Sequence, residues 1–273
     1  MSKNYYLISS LPELFFESED VGSFDFISLR DYIFETASSN ESRYVCDLLC
    51  GIDNYNLITA IYSKNRPWKE GGSFQIEFLN DLEEYNLPNY IRSFLDFITE
   101  YEEENKAKPN ELAAEKHLFE LCYNEMENSS NGFIAKWFKF DREIKNIQAA
   151  YVGRQLEISA EEYLIKDEED DIAELLLKNN SPDFGLAKAR DYIPKLFQAL
   201  ETEDLLDREN KIDMFRWNYI DELNTFAYFK IDAALGILQK AHIADRWAKL
   251  DEQKGKEMFK KLVNDLKNSY KEI

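Results

Sequence analysis

Between Phe133 and Arg154 the chain reads FIAKWFKFDREIKNIQAAYVGR, and Phe133, Trp137, Phe140, Ile144, Ile147 and Tyr151 recur at alternating spacings of four and three. Side chains three and four apart stack on one side of an α-helix, so this stripe predicts an amphipathic helix with one apolar face. Gly132 precedes the run and Gly153 ends its regular part. On the edge of the stripe, Glu143 and Asn146 stand one turn apart, spaced to pair with each other.

The rest of the chain repeats that character. Only 9 Gly and 6 Pro punctuate 273 residues, and Leu, Ile, Glu, Lys and Ala fill the runs between them. Such a chain favours helices with few, short connections. Ser23 or Asp25 can cap a helix reaching Thr36, and Ala37-Ser38-Ser39-Asn40 reads as a turn. Tyr44, Cys46, Leu48 and Leu49 mark a second helix, Gly51 interrupts, and Asp53–Tyr62 reads as a third. Asn65–Gly72 is a loop around Trp68, and Phe74, Phe78, Leu79 and Leu82 predict a short helix or turn. Pro88 opens a helix to Glu104, and another covers Glu111–Asn124. Beyond an acidic loop from Ile158 to Asp171 come helices over 171–179 and 184–200, with Pro194 kinking the second or marking its start. Lys211–Trp247 reads as one very long helix, apolar on more than one side, and Gly255 precedes a last helix with Met258, Phe259, Leu262 and Leu266. The prediction is an all-α chain of about ten helices, 1–273 as a single unit.

Charge narrows the functions open to it. With 53 acidic and 33 basic residues the net charge is −20, which repels phosphate backbones and anionic headgroups and excludes nucleic acid as a natural partner. An acidic surface suits solubility or steering toward a basic protein. Cys46, Cys50 and Cys122 are odd in number, and Cys46 and Cys50 sit four apart in an apolar helical pattern, as small hydrophobes rather than a disulfide framework. With only His117 and His242 and no CxxC, a zinc site is not expected. No 18-residue apolar run predicts a membrane span, and the start MSKNYYLISSLPELFFESED lacks the charged and apolar regions of a signal peptide, so the expected location is cytoplasmic.

Catalytic signatures are likewise missing from the sequence. It contains no GxxxxGK[ST], GxGxxG, GxSxG or HExxH, and no cofactor is expected. Asp170-Asp171-Ile172-Ala173-Glu174 reads as DDxxE, and Asn264-Asp265, Asn268 and Glu272 approximate the second Mg²⁺-diphosphate motif of helical terpenoid synthases. The first lies in a solvated acidic helix start and the second at a fraying terminus, so both read as surface charge.

One motif recurs. Asp53-Asn54-Tyr55-Asn56-Leu57 matches Glu143-Ile144-Lys145-Asn146-Ile147 as acid-x-x-Asn-aliphatic, at an offset of 90 residues. A third acid, Asp232, lies 89 residues further on, but Leu235 replaces the Asn and Gly236 the aliphatic. The near-equal offsets fit three similar helical units, about 20–100, 105–175 and 185–273, and equally a chance match in a chain rich in helix and Asn.

These residues carry a resemblance. Asn4-Tyr5-Tyr6-Leu7-Ile8-Ser9-Ser10-Leu11-Pro12-Glu13-Leu14 is similar to the start of an uncharacterised bacterial family associated with V-type ATPases. Phe140–Ile147 followed by Arg154 resembles the acid-x-x-Asn-aliphatic…Arg helix of the C-type coupling subunit of V-type ATPases, the counterpart of the eukaryotic d-type subunit. The resemblance implies three helical lobes forming a funnel that is without catalytic residues of its own. It would receive the central stalk and sit on the membrane rotor ring, at the inner face of the cytoplasmic membrane. It also implies a structural role for Asp53, Asn56, Glu143, Asn146, Arg154 and Asp232. Two rival readings are a helical adaptor unrelated to ATPases and a Mg²⁺-dependent diphosphate enzyme.

Overall fold

A computed structural model describes residues 4–16, 25–62, 66–74, 87–167, 172–186 and 190–249. Among them the chain forms eleven helices and no strand. After α1 (Tyr5–Ser10), local capping chemistry sets most helix starts. Asp25 opens α2 (Phe26–Thr36) by accepting from the Ile27 and Ser28 amides at 3.0 and 3.2 Å. A Ser38–Glu41 capping box opens α3 (Ser39–Leu48), ahead of α4 (Cys50–Tyr62). Pro88 precedes α5 (Asn89–Asn105), whose last turn closes on Lys106 in the left-handed conformation. Asn110 caps α6 (Glu111–Glu127) and Asn131 caps α7 (Gly132–Gln155), each taking an amide at 2.9 Å. Then come α8 (Ile172–Lys178), α9 (Ile193–Leu200), α10 (Leu205–Asn224), capped by Asp204, and α11 (Ile231–Lys249).

Several boundaries differ from those the sequence leads one to expect. Gly51 lies inside the first turn of α4, and the joint with α3 is Leu49. Gly153 does not end α7, which runs on to Gln155. Pro194 sits in the first turn of α9, so that helix starts at Ile193 and not near 184. The long run Lys211–Trp247 is two helices, α10 and α11, separated by residues 225–230. Each packs an apolar stripe against the other, and this is why the run reads as apolar on more than one side. The expected helix around Phe78–Leu82, Asp170 and Asp171 of DDxxE, and everything from 250 onward lie outside the described residues.

The helices pack as neighbours in sequence, α5 on α6 and α6 on α7, with α4 laid on α6. On the other side α10 and α11 pair, α11 against α2 and α3, α10 against α7 and α9. One apolar core runs through all of them, from Leu7 to Ile243. Gly236 permits the α10–α11 approach: a Cβ there would collide with the Asn224 amide and sit 3.0 Å from Ile220.

Helix α7 is the hub. Its middle is buried on more sides than one stripe, because Asp141, Arg142 and Glu143 are enclosed as well as the apolar positions. Successive residues project about 100° apart around a helix, so these three charges reach three different sets of partners. Asp141 accepts from Tyr123 of α6 (2.6 Å), Lys145 (2.6 Å) and Arg216 of α10 (2.9 Å). Arg142 donates to Glu127 at the end of α6 (2.8 Å) and to Asp167 in the following loop (2.9 Å). Glu143 faces Arg190, just before α9, at 3.7 Å.

Candidate functional site

Each residue of the recurring motif has its own task in the fold. Asn56 donates through Nδ2 to the Lys69 carbonyl and accepts through Oδ1 from the Lys69 amide, both at 2.8 Å. Asn146 does the same to Ile165, at 2.9 and 2.8 Å. Both asparagines therefore clamp one residue of the loop that follows their helix. Asp53 accepts from the Ser73 amide at 2.7 Å and pins the next stretch of the first loop, where Gly72 is required because a Cβ would fall on the Asp53 carboxylate. Burial pushes Asp53 up to about 6, against the pull of its Ser73 and Phe74 hydrogen bonds.

The expected Glu143–Asn146 pair is replaced by two separate engagements. Asn146 turns to Ile165, and Glu143 turns to Arg190, with its charge near the Tyr192 hydroxyl. The spacing predicts a pair because both residues share one edge of α7; the loop backbone and Arg190 outcompete a contact between neighbouring turns. Arg154 donates to the carbonyls of Ser181 (2.6 Å) and Asn179 (2.8 Å) and lies over the Phe184 ring at 3.7 Å, tying the end of α7 to the loop before α9. Asp232 does not clamp a loop. It accepts from Asn131 at 2.8 Å and so links the cap of α7 to the first turn of α11.

Two concavities among the described residues bear on function. The larger is a groove of about 1020 Å³ between α9 and α10, beside Phe140 of α7. The Phe140 ring stacks on Tyr219 with centroids 3.8 Å apart and meets Tyr192 edge-on at 5.4 Å. Burial, and then the charge of Glu143, raise the Tyr192 hydroxyl above its ordinary range and keep it neutral. Arg190, Lys195 and Lys211 line the groove together with Asp191, Asp207 and Glu222, so this surface is electrically balanced on a chain of net charge −20. In the sequence, Phe215 and Tyr219 read only as part of a long core helix; their place on a second side of α10 is the available signal for the groove.

The smaller is a chamber of about 220 Å³ where α4, α6, α7, α10 and α11 meet, with charged side chains set in a largely apolar lining. Asp141, Arg216 and Asp213 form one wall, and Asp213 also accepts from Trp247 at 2.8 Å. Burial alone would raise Asp141, but Lys145 and Arg216 hold it well below the usual carboxylate range. Asn54, also in the lining, is fully buried, and neither pole of its amide has a partner among the described residues. Cys50 and Cys122 sit beside it. No cluster of His, Cys, Asp and Glu suited to a metal occurs among the described residues, and none of their helices is long and apolar enough to cross a membrane. Glu174, the described acid of DDxxE, pairs with Lys178 on the surface.

Fold and site together define an all-helical protein organised on one buried hub helix, with an aromatic-lined groove on its flank. The chain belongs to the family described as a protein of unknown function (DUF2764), whose sequence profile matches residues 1–270. Neither the curated proteins nor the solved structures contain a match to it.

Proposed function

We propose that the chain is a non-catalytic coupling subunit of a bacterial V-type ATPase, joining the central stalk to the membrane rotor ring. The observation that carries the reading is the groove between α9 and α10. It is wide enough for several side chains of a partner helix, its aromatic residues offer rigid contact area, and its rim carries both signs of charge. The sequence resemblance to the C-type coupling subunit supplies the identity of the partner. A coupler must also be stiff, and the hub supports this: the buried charges of α7 tie it to α6, α10 and the segment before α9. A second exposed surface, with Tyr6, Phe226 and Tyr228 outermost and Tyr5 packed on Phe229 at 5.4 Å, is a further contact face for the ring. Co-expression with central-stalk and ring subunits tests the proposal. A stoichiometric complex is expected at low and moderate salt, and no complex under either condition removes its basis.

A further inference from the structure

The chamber brings together two cysteines that lie 72 residues apart in the chain. Cys50, in the first turn of α4, and Cys122, on α6, are both buried, and their sulfurs are 2.8 Å apart. That is nearer than unbonded sulfurs rest and less than an ångström from the bonded distance of about 2.05 Å. The third cysteine, Cys46, is on the other side of the Leu49 joint and turns toward Ser73.

We infer that Cys50 and Cys122 are a reversible oxidation site, forming a disulfide that staples α4 to α6 when a peroxide reaches the chamber. A route exists because both cysteines line a chamber that opens to the surface and that polar side chains also enter. The unpartnered Asn54 amide in the same lining marks a place that small polar molecules visit, since a buried amide is stable only where such partners reach it. The chemistry balances with peroxide as the two-electron oxidant. One thiolate attacks the O–O bond and becomes a sulfenic acid, releasing hydroxide that takes up a proton as water. The neighbouring thiol attacks that sulfur, the S–S bond forms, and a second water leaves. Two thiols are oxidised and one peroxide is reduced to two waters.

The surroundings set the speed. Burial, then the adjacent Cys122 and the Asp53 charge, raise the Cys50 thiol well above its ordinary value, against the pull of Lys145 of α7. Tyr90 of α5 and Tyr123 of α6 face the same pair and stay neutral, each raised by burial. The first step is therefore slow near neutral pH. Once one sulfur is oxidised its neighbour is already in place, which directs the product to a disulfide rather than to higher acids.

The test uses the full chain exposed to hydrogen peroxide, followed by thiol counting in denaturant and peptide mapping by mass spectrometry. The expected product is lighter by two hydrogens, retains Cys46 as its one free thiol, links the Cys50 and Cys122 peptides, and reverts with dithiothreitol. Its melting temperature should rise by roughly 5 °C, as expected for closing a long loop in a chain of this size. Cys46→Ser should leave the product unchanged and Cys50→Ser should abolish it. Mapping on the unmodified chain decides the matter should that last variant fail to fold. Three free thiols after exposure, a Cys46–Cys50 link, or sulfinic acid without a cross-link would each overturn the inference.

Discussion

Asn56 and Asn146, in two helices and 90 residues apart, each hold both the amide and the carbonyl of a single loop residue, Lys69 in one case and Ile165 in the other. A side-chain amide holds a donor and an acceptor side by side, and so satisfies a backbone carbonyl and amide at once. Both asparagines are almost wholly enclosed. The relationship explains why Asn recurs at this place in the motif: the loop after the helix needs a surrogate backbone.

Replacing either asparagine by Ala should therefore destabilise the chain by about 1–3 kcal/mol, since each change leaves a loop amide and carbonyl unmet, buried at Ile165 and partly buried at Lys69. Asn→Asp should be worse than Asn→Ala, because an oxygen then faces the Lys69 or Ile165 carbonyl. Urea denaturation of the four variants checks the order, and equal losses for Ala and Asp would count against the clamp.

Asp53 and His242 titrate against each other. The folded state holds Asp53 at about 6 against an ordinary 3.8, so protonation favours folding and stability grows as the pH falls from about 6 toward 4. Burial pushes His242, stacked on Phe26, down to about 4 from 6.5, so stability is lost over nearly the same window. Asp47, also raised to about 6 by burial, adds to the first effect. Asp53→Asn should make the chain lose stability more steeply on acidification from pH 7 to 4.5, and His242→Phe should make it gain. Each change in slope is on the order of 2 kcal/mol across the window. Denaturation midpoints against pH for the three proteins report this directly.

Asp141 receives Tyr123, Lys145 and Arg216, and Arg216 also reaches Asp213 at 3.2 Å. Asp141→Ala should cost about 3–5 kcal/mol, because it leaves the enclosed Arg216 with one carboxylate, Asp213, in place of two. Arg142→Met should cost less: it strands Glu127 and Asp167, whose side chains are partly exposed and can be rehydrated. Thermal or chemical denaturation ranks the pair.

At the Gly236 crossing, Val should destabilise by about 1–3 kcal/mol through overpacking against Asn224 and Ile220. The double variant Gly236→Ala with Asn224→Ala should recover most of the loss of Gly236→Ala alone, which a melting-temperature series would reveal.

The same two positions show what the sequence makes legible. The stripe from Phe133 to Tyr151 is enough to place α7, and Asp25, Pro88 and Pro194 mark real helix starts, because capping and periodicity are local. The break between α10 and α11 is hidden because Asn224–Lys230 carries neither Gly nor Pro, and apolar spacing continues across it. Gly236 occupies the aliphatic place of the motif because α10 crosses there, and Leu235 beside it is core. Long-range partners leave no mark in spacing: nothing near Glu143 announces Arg190, and nothing near Cys50 announces Cys122. The groove is hidden for the same reason, since its aromatic residues come from α7, α10 and the segment before α9.

Whether the groove seats a stalk partner is tested most directly by titrating the chain against a recombinant V-type ATPase central stalk. Lys195→Glu and Asn218→Trp alter exposed groove positions without touching the core. The expected result is a one-to-one complex for the unmodified chain, weakened at least tenfold by each substitution with the melting temperature unchanged. Absence of a complex at low and moderate salt, or equal binding by all three proteins, would contradict it.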